Sequence, residues 1–194
     1  RNSLLLTKRH TPIRPQWDRD DQIQALLSFA TVVPLIEKTS EYCRIELIKG
    51  EEGFIPVQGN MVLKTRDYIV HLANSLLGAP YLWGGKSSFG YDCSGFVQMV
   101  LKTAGISMPR DTGFQIKADL LEEISITSTE PGDLVFFSED NCINHVAFTI
   151  GDGKIIHCSG EVKLESIIEG EPGFNRTLAN LDHTFTSISK MVNS

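Results

Sequence analysis

Cys93 stands in the run Tyr91-Asp92-Cys93-Ser94-Gly95-Phe96-Val97, behind a stretch crowded with the turn residues Pro80, Gly84, Gly85, Ser87, Ser88 and Gly90. After it, Phe96, Val97, Val100, Leu101 and Ala104 recur at helical spacing. The pattern places the cysteine in the first turn of a helix with Asp92 as its N-cap. Free backbone N–H groups and the positive end of the helix dipole favour thiolate over thiol at such a position. A cysteine nucleophile needs a base, and His145 and His157 follow downstream in strand-like sequence. A cysteine paired with a base that a third group orients is the general form of covalent acyl-transfer catalysis.

Whether the two histidines can meet depends on the hairpin between them, because side chains on a strand alternate faces. A regular two-residue Asp152-Gly153 turn would pair Gly151 with Lys154 and Phe148 with His157, turning His145 to the opposite side. A three-residue loop, Gly151-Asp152-Gly153, pairs Ile150 with Lys154 and Ala147 with His157. His145 then shares a face with His157 at a diagonal distance of roughly 7–8 Å between backbones. The spacing therefore predicts that loop or an equivalent bulge, with Gly153 supplying the left-handed conformation.

The elements around these residues can be read in order. Tyr42 to Leu47 alternates apolar and polar, Lys49 to Gly53 is a turn, and Phe54 to Val57 is a short strand, a pattern that suggests a small β-barrel. Gly59-Asn60 marks a boundary, giving domains over 1–60 and 61–194. Tyr68, Ile69, Leu72, Ala73, Leu76 and Leu77 predict a helix closed by Gly78 and Pro80. Thr112 and Gln115 fit a capping box for a helix through Leu121. Leu134 to Phe137 reads as a buried strand, 159–183 as loop, and Thr184 to Val192 as a closing strand.

Composition sets outer bounds. The chain has 194 residues, 41 % hydrophobic and 22 % charged, enough for a substantial core in one or two domains. Its net charge of -6 argues against nucleic acid as a partner. No apolar run approaches the ~20 residues of a membrane span. Beginning at Arg1 rather than Met, the chain is expected to lack its natural N-terminus, so the compartment stays open, with the cell envelope slightly favoured over the cytoplasm. The four cysteines (Cys43, Cys93, Cys142, Cys158) have no zinc-like spacing, and Cys43 and Cys158 read as buried core thiols.

Six segments together resemble the NlpC/p60 family of papain-like cysteine peptidases that cut bacterial cell-wall peptides. They are Pro80 to Gly85, Tyr91 to Val97, Met108-Pro109-Arg110, Pro131 to Phe137, Asn144 to Ala147 and Ile155-Ile156-His157, in the family's order and spacing over roughly residues 64–160. The resemblance implies an α+β fold, a papain-like catalytic domain with helices packed on an antiparallel sheet. The N-terminal strands more loosely resemble a bacterial SH3-like β-barrel, which often precedes this domain. In related proteins that domain can restrict the cleft to short peptides with a free N-terminal L-Ala.

The implied activity is a cysteine endopeptidase that hydrolyses the γ-D-glutamyl–diamino acid amide of peptidoglycan stem peptides, or of released muropeptides, through a thioester. Cys93 would be the nucleophile, His145 the general base and acid, and His157 the group that fixes the His145 tautomer. The oxyanion would be held by the Cys93 backbone N–H and the Tyr81 hydroxyl, Tyr81 being alternatively a core aromatic with a polar tip. Asp92 and Ser94 help hold the substrate in the family, a role compatible with an Asp92 N-cap. Arg110 could bind a substrate carboxylate bidentately or be a surface residue at a helix start, and Trp83 and Phe89 would shape the cleft. Ala147 stands where the family commonly has Gly, and Asp111 where it has a small hydroxyl residue, placing negative charge beside Arg110. No metal or cofactor is implied. The alternatives are an N-acetylmuramoyl-L-alanine amidase, an acyltransferase on the same scaffold, or a non-catalytic wall-binding adaptor.

Overall fold

The computed structural model describes residues 2–18, 22–58 and 62–192. The chain divides into two units, Arg1–Met61 and Val62–Ser194. The expected boundary at Gly59-Asn60 lies outside the described residues.

The N-terminal unit holds β1 (Ser3–Leu5), β2 (His10–Ile13), β3 (Ala25–Ser28), β4 (Val32–Lys38), β5 (Tyr42–Glu46) and β6 (Glu52–Pro56). The alternation read in Tyr42–Glu46 is realised as strand, with Cys43 and Ile45 fully buried and their neighbours half-buried. These residues join Leu4, Leu6, Ile13, Val33 and Ile55 in one apolar core. No closed barrel is found among the described residues. Among the described residues the strands form an open sheet in the order β1-β4-β5-β6 and a separate β2-β3 ribbon, linked by an isolated Arg14–Phe54 bridge.

The second unit contains α1 (Arg66–Asn74), β7 (Lys86–Ser87), β8 (Gly90–Tyr91), α2 (Cys93–Thr103), α3 (Thr112–Gln115), β9 (Glu122–Ile124), β10 (Leu134–Glu139), β11 (Cys142–Gly151), β12 (Lys154–Ser159), β13 (Glu161–Ser166), α4 (Arg176–Ala179) and β14 (Asp182–Ser187). Six strands form one antiparallel sheet in the order β13-β12-β11-β10-β14-β9. The apolar run in β10 is buried on both faces, as its lack of alternation requires. Val135 and Phe137 enter a cluster with Ala147, Ile155, Ile167 and Leu178. Phe148 meets Phe96 of α2 edge-to-face at 5.7 Å between ring centroids, so the helix that begins at Cys93 is anchored against the sheet. Among the described residues no helix is long and apolar enough to cross a membrane.

Three local expectations are revised. The helix starting at Thr112 stops at Gln115, and its N-cap is Asp111 without a side-chain cap bond. Thr112 Oγ1 instead donates to the Ile143 carbonyl, and the buried Gln115 amide donates to the carbonyls of Ser94 and Pro109, so no capping box forms. Residues 161–166, read as loop, form β13 along β12. The closing strand spans Asp182–Ser187, earlier than the alternation suggested.

Candidate active site

The Cys93 end of α2 is built by Asp92 and glycines. Asp92 has extended backbone and its Oδ1 accepts from the Gly95 N–H at 2.7 Å, the N-cap bond its position called for. Its Oδ2 accepts from the Gly84 N–H at 3.0 Å, tying the turn before the helix to the helix itself. Gly85 and Gly95 are there because backbone passes too close for a side chain. A Cβ on Gly95 would stand 2.2 Å from the Gly85 carbonyl oxygen, and one on Gly85 would stand 2.4 Å from that of Gly90.

The histidine side is built by two bulges. The β11–β12 turn is Asp152-Gly153, with Gly151 opposite Lys154 and both turn residues at positive φ, as a two-residue type I′ turn requires. The predicted three-residue loop is therefore absent. Its effect is supplied by a bulge at Ile150, beyond which Thr149 pairs with Ile155 and Phe148 with Ile156. Continued, that register sets Ala147 opposite His157 and His145 on the same face. A second bulge lies at Asn144, between the Phe137–His145 and Ser138–Ile143 pairs. His145 Nε2 lies 2.8 Å from His157 Nδ1, the rings nearly perpendicular at 88°.

Cys93, His145 and Tyr81 line one cleft of about 530 Å³, together with Asp92, Ser94 and Arg110. The catalytic and substrate-binding candidates singled out from the sequence, His157 apart, therefore border one space; His157 is fully buried behind His145. Trp83 is also on the wall and 86 % exposed, whereas Phe89 is exposed but absent from the lining. Cys93 Sγ lies 4.0 Å from the Asn144 carbonyl oxygen. Arg110 reaches Asp92 through Nη1 to Oδ1 at 2.9 Å and Nη2 to Oδ2 at 2.6 Å, and Nη1 also donates to Ser94 Oγ at 2.9 Å. Three residues that the sequence assigned separately are thus one network. The Asp92 hydrogen bonds chiefly hold the Arg110 guanidinium in its charged form, and Asp111, also on the cleft wall, adds to this.

Charge in the site is governed by burial. Burial pushes the Cys93 thiol up, and the Asp92 carboxylate adds to this; the N–H groups of Val146, Ser94 and Cys93 pull the other way and are outweighed. The thiolate preference expected from the helix start alone is therefore reversed in the resting site. Burial, and then the neighbouring His157, lowers His145 to about 3. The resting pair is a thiol and a neutral imidazole. Burial also lowers His157, against the opposing pull of Glu165. The Tyr81 phenol is raised chiefly by burial, with the Asp92 carboxylate adding to it, which keeps its proton on as a donor. Cys158, pushed up to about 12 chiefly by burial, bonds the Tyr91 carbonyl at 3.2 Å and is inert. All four cysteines are free thiols.

Residues that sequence reasoning passed over are Glu165, Asn175 and Lys163, and Gln115 was given a different role. Glu165 Oε2 lies 2.7 Å from His157 Nε2 and accepts from Asn175 Nδ2 at 2.6 Å, while Lys163 Nζ is 3.0 Å from Oε1. The alternation in Glu161–Ser166 was the available signal, masked by the glycines and proline that follow. Gln115, read as part of a capping box, instead bridges the Ser94 and Pro109 carbonyls, which lie far apart in sequence.

A cysteine at a helix N-terminus sharing a cleft with a strand histidine backed by a second polar ring, on an antiparallel sheet, defines the papain-like class of cysteine hydrolase folds. The chain belongs to the NlpC/P60 family, which residues 78–177 match. It is 39 % identical over 139 residues to a Bacillus subtilis protein named gamma-D-glutamyl-L-lysine dipeptidyl-peptidase, covering 68 % of this chain and 46 % of that one. It is also 39 % identical over 100 residues to a Listeria monocytogenes protein named probable endopeptidase p60, covering 51 % of this chain and 20 % of that protein. A crystal structure of an NlpC/P60 family protein from Bacillus cereus superposes with a TM-score of 0.73 at 27 % identity, covering 94 % of this chain and 61 % of that chain. The chain spans about half the length of the first two curated relatives it matches, at 46 % and 47 %.

Proposed function

We propose that this protein is a cysteine peptidase acting on peptidoglycan stem peptides, hydrolysing the γ-D-glutamyl–diamino acid amide through a Cys93 thioester. The observation that carries the reading is the His145–His157 contact at 2.8 Å beside a cleft that Cys93 also lines. The names of the relatives support the substrate class. On this reading the N-terminal unit is an SH3-like domain over 1–60 and the peptidase domain spans 61–194.

With Nε2 of His145 engaged by His157, Nδ1 is the nitrogen left to receive the thiol proton. As it does so, Sγ attacks the γ-carbonyl carbon of the D-Glu residue and a C–S bond forms. The Cys93 backbone N–H and the Tyr81 hydroxyl donate to the oxyanion that develops. Collapse breaks the C–N bond, and His145 returns the proton to the leaving amine of the diamino acid. Water, deprotonated by His145, then attacks the thioester; the C–S bond breaks, the thiol regains its proton and a free γ-carboxylate leaves. Asp92, Ser94 and Arg110 form a polar wall for the peptide backbone and its carboxylates.

Mass spectrometry of L-Ala-γ-D-Glu-L-Lys and L-Ala-γ-D-Glu-meso-diaminopimelate digests, with free peptide and intact peptidoglycan compared, tests the reading. Release of L-Ala-γ-D-Glu by the native protein, absent with Cys93→Ala, is the expected result. Cleavage at the sugar–L-Ala bond would replace the endopeptidase with an amidase. Sedimentation with wall sacculi but no cleavage would replace the enzyme with an adaptor.

A further inference from the structure

Glu165 is a carboxylate outside the cleft whose hydrogen bonds run inward to it. Burial alone would raise it, but the combined hydrogen bonds from Asn175, Lys163 and His157 outweigh burial and hold it below the usual carboxylate range, so it is ionised at neutral pH. An ionised carboxylate only accepts hydrogen bonds. With 2.7 Å between Glu165 Oε2 and His157 Nε2, the proton of that contact must sit on His157 Nε2. His157 is fully buried, and burial favours its neutral ring, so its Nδ1 then carries a lone pair. Nδ1 faces His145 Nε2 at 2.8 Å, which requires the proton of that second contact to sit on His145 Nε2. His145 Nδ1 is left bare, the ring nitrogen that the His157 contact does not occupy, on a residue that lines the same cleft as Cys93.

We propose that Glu165 is a positioning residue that sets the tautomers of both histidines, through the chain Glu165–His157–His145, and so keeps the His145 lone pair available to Cys93. The proposal rests on the peptidase reading for its kinetic consequence, but not for the tautomers themselves. The opposite arrangement, with protons on both Nδ1 atoms, also satisfies the His–His contact. It leaves His145 donating toward the thiol instead of accepting from it, and the nucleophile has no base. Nothing in the His–His pair alone chooses between the two; the carboxylate does.

The carboxylate is itself held. Asn175 caps α4, its Oδ1 accepting from the Leu178 N–H at 3.0 Å, which turns its Nδ2 to Glu165. Lys163, directly opposite His157 in the β12–β13 ladder, fixes the other oxygen. Oε2 receives both His157 and Asn175, so the acceptor cannot swing away without abandoning two donors.

Nitrogen-15 imidazole spectra at neutral pH, read with steady-state kinetics on the tripeptide, test this. The native protein is expected to show Nε2–H at both His145 and His157. Glu165→Gln retains an acceptor oxygen and should keep that pattern and kcat within about threefold. Glu165→Leu removes the acceptor; both rings should shift toward Nδ1–H, and kcat should fall by at least about 100-fold with little change in KM, as a wrong tautomer does. Nδ1–H on either ring of the native protein overturns the proposal without any variant. So does a folded Glu165→Leu protein with native tautomers, or equal kinetics for the two variants. A native protein that shows both Nε2–H signals but cleaves nothing overturns the peptidase reading and leaves the tautomer assignment standing.

Discussion

Asp92 and Arg110 are joined by two parallel N–H···O contacts, Nη1 to Oδ1 at 2.9 Å and Nη2 to Oδ2 at 2.6 Å. Asp92 at the same time caps α2 and accepts from Gly84, with Ser94 Oγ at 3.3 Å from Oδ1. Burial alone would raise this carboxyl; the Arg110 fork and the Gly95 N–H outweigh it and hold it below the usual range. Its acceptor capacity is already committed, so under the proposed function its part is to fix Arg110 and Ser94 in place.

That arrangement makes the pair a stability element as well as a wall of the cleft. Charge-assisted forks are worth about 1.5–3 kcal/mol where solvent is restricted. A double-mutant cycle of Asp92→Ala and Arg110→Ala, followed by urea denaturation, should give a coupling of about that size. Arg110→Lys should recover little of it, because a point charge does not reproduce the fork. Additivity of the two single variants would show the pair to be solvent-screened.

The pH dependence follows from the burial of His145. A general base must be neutral to accept a proton, and a ring held near 3 stays neutral far below the ordinary histidine range. The acid limb of kcat/KM should therefore lie well below pH 6.5, and the alkaline limb above the ordinary thiol range, since Cys93 is raised. The same shift acts on stability. Between pH 6.5 and 3 the unfolded chain takes up a proton on His145 that the folded one does not, so stability should fall as pH falls through that window. Kinetics and denaturation midpoints over one pH series check both, and an acid limb at 6.5 or above would refute the neutral pair.

How far the sequence carried depended on the range of each interaction. The Cys93 helix start and its Asp92 cap were legible because N-capping is settled within three residues. The His145–His157 approach was legible as a condition, since alternation admits only certain registers, but not which bulge would meet it; a bulge at Ile150 with a two-residue turn and a three-residue loop give the same register beyond Thr149. Glu165 was not legible, because it meets His157 only once β13 is recognised as the strand paired with β12, and Gly160, Gly170 and Pro172 give its surroundings the composition of loop. The thiolate expectation failed for a related reason. A helix terminus is local, whereas the burial that outweighs it comes from the sheet and the cleft walls.

Gly95 marks where local conformation and tertiary packing make opposite demands. Its helical backbone suits alanine, so propensity alone predicts that Gly95→Ala stabilises α2. The Cβ would, however, meet the Gly85 carbonyl oxygen at 2.2 Å and Asp92 Oδ1 at 2.9 Å. Backbone must move to admit it, at about 1–3 kcal/mol. The displaced atoms adjoin Cys93, so kcat should fall more than tenfold, since misplacing reacting groups by an ångström costs about 100-fold. A Gly95→Ala protein with native activity and raised melting temperature would show that the loop yields freely.

Ile150 offers the sharpest separation of register from local sequence. It is the extra residue of the bulge: Gly151 pairs with Lys154 and Thr149 with Ile155, leaving Ile150 without a partner in the ladder. Deleting it joins Thr149 to Gly151 and produces a regular two-residue hairpin in which every remaining pair is retained. His145 keeps its face, opposite Phe137 and diagonal to His157. The prediction is that the deletion leaves the His145–His157 hydrogen bond in place and peptide hydrolysis within about threefold, while the lost side chain costs roughly 1 kcal/mol, an ordinary value for a single change. Retaining Ile150 while forcing it into the ladder does the reverse: the pairing slips by one, Phe148 moves opposite His157, and His145 turns away. Loss of hydrolysis in a folded deletion variant would mean that the bulge shapes the site directly rather than through register.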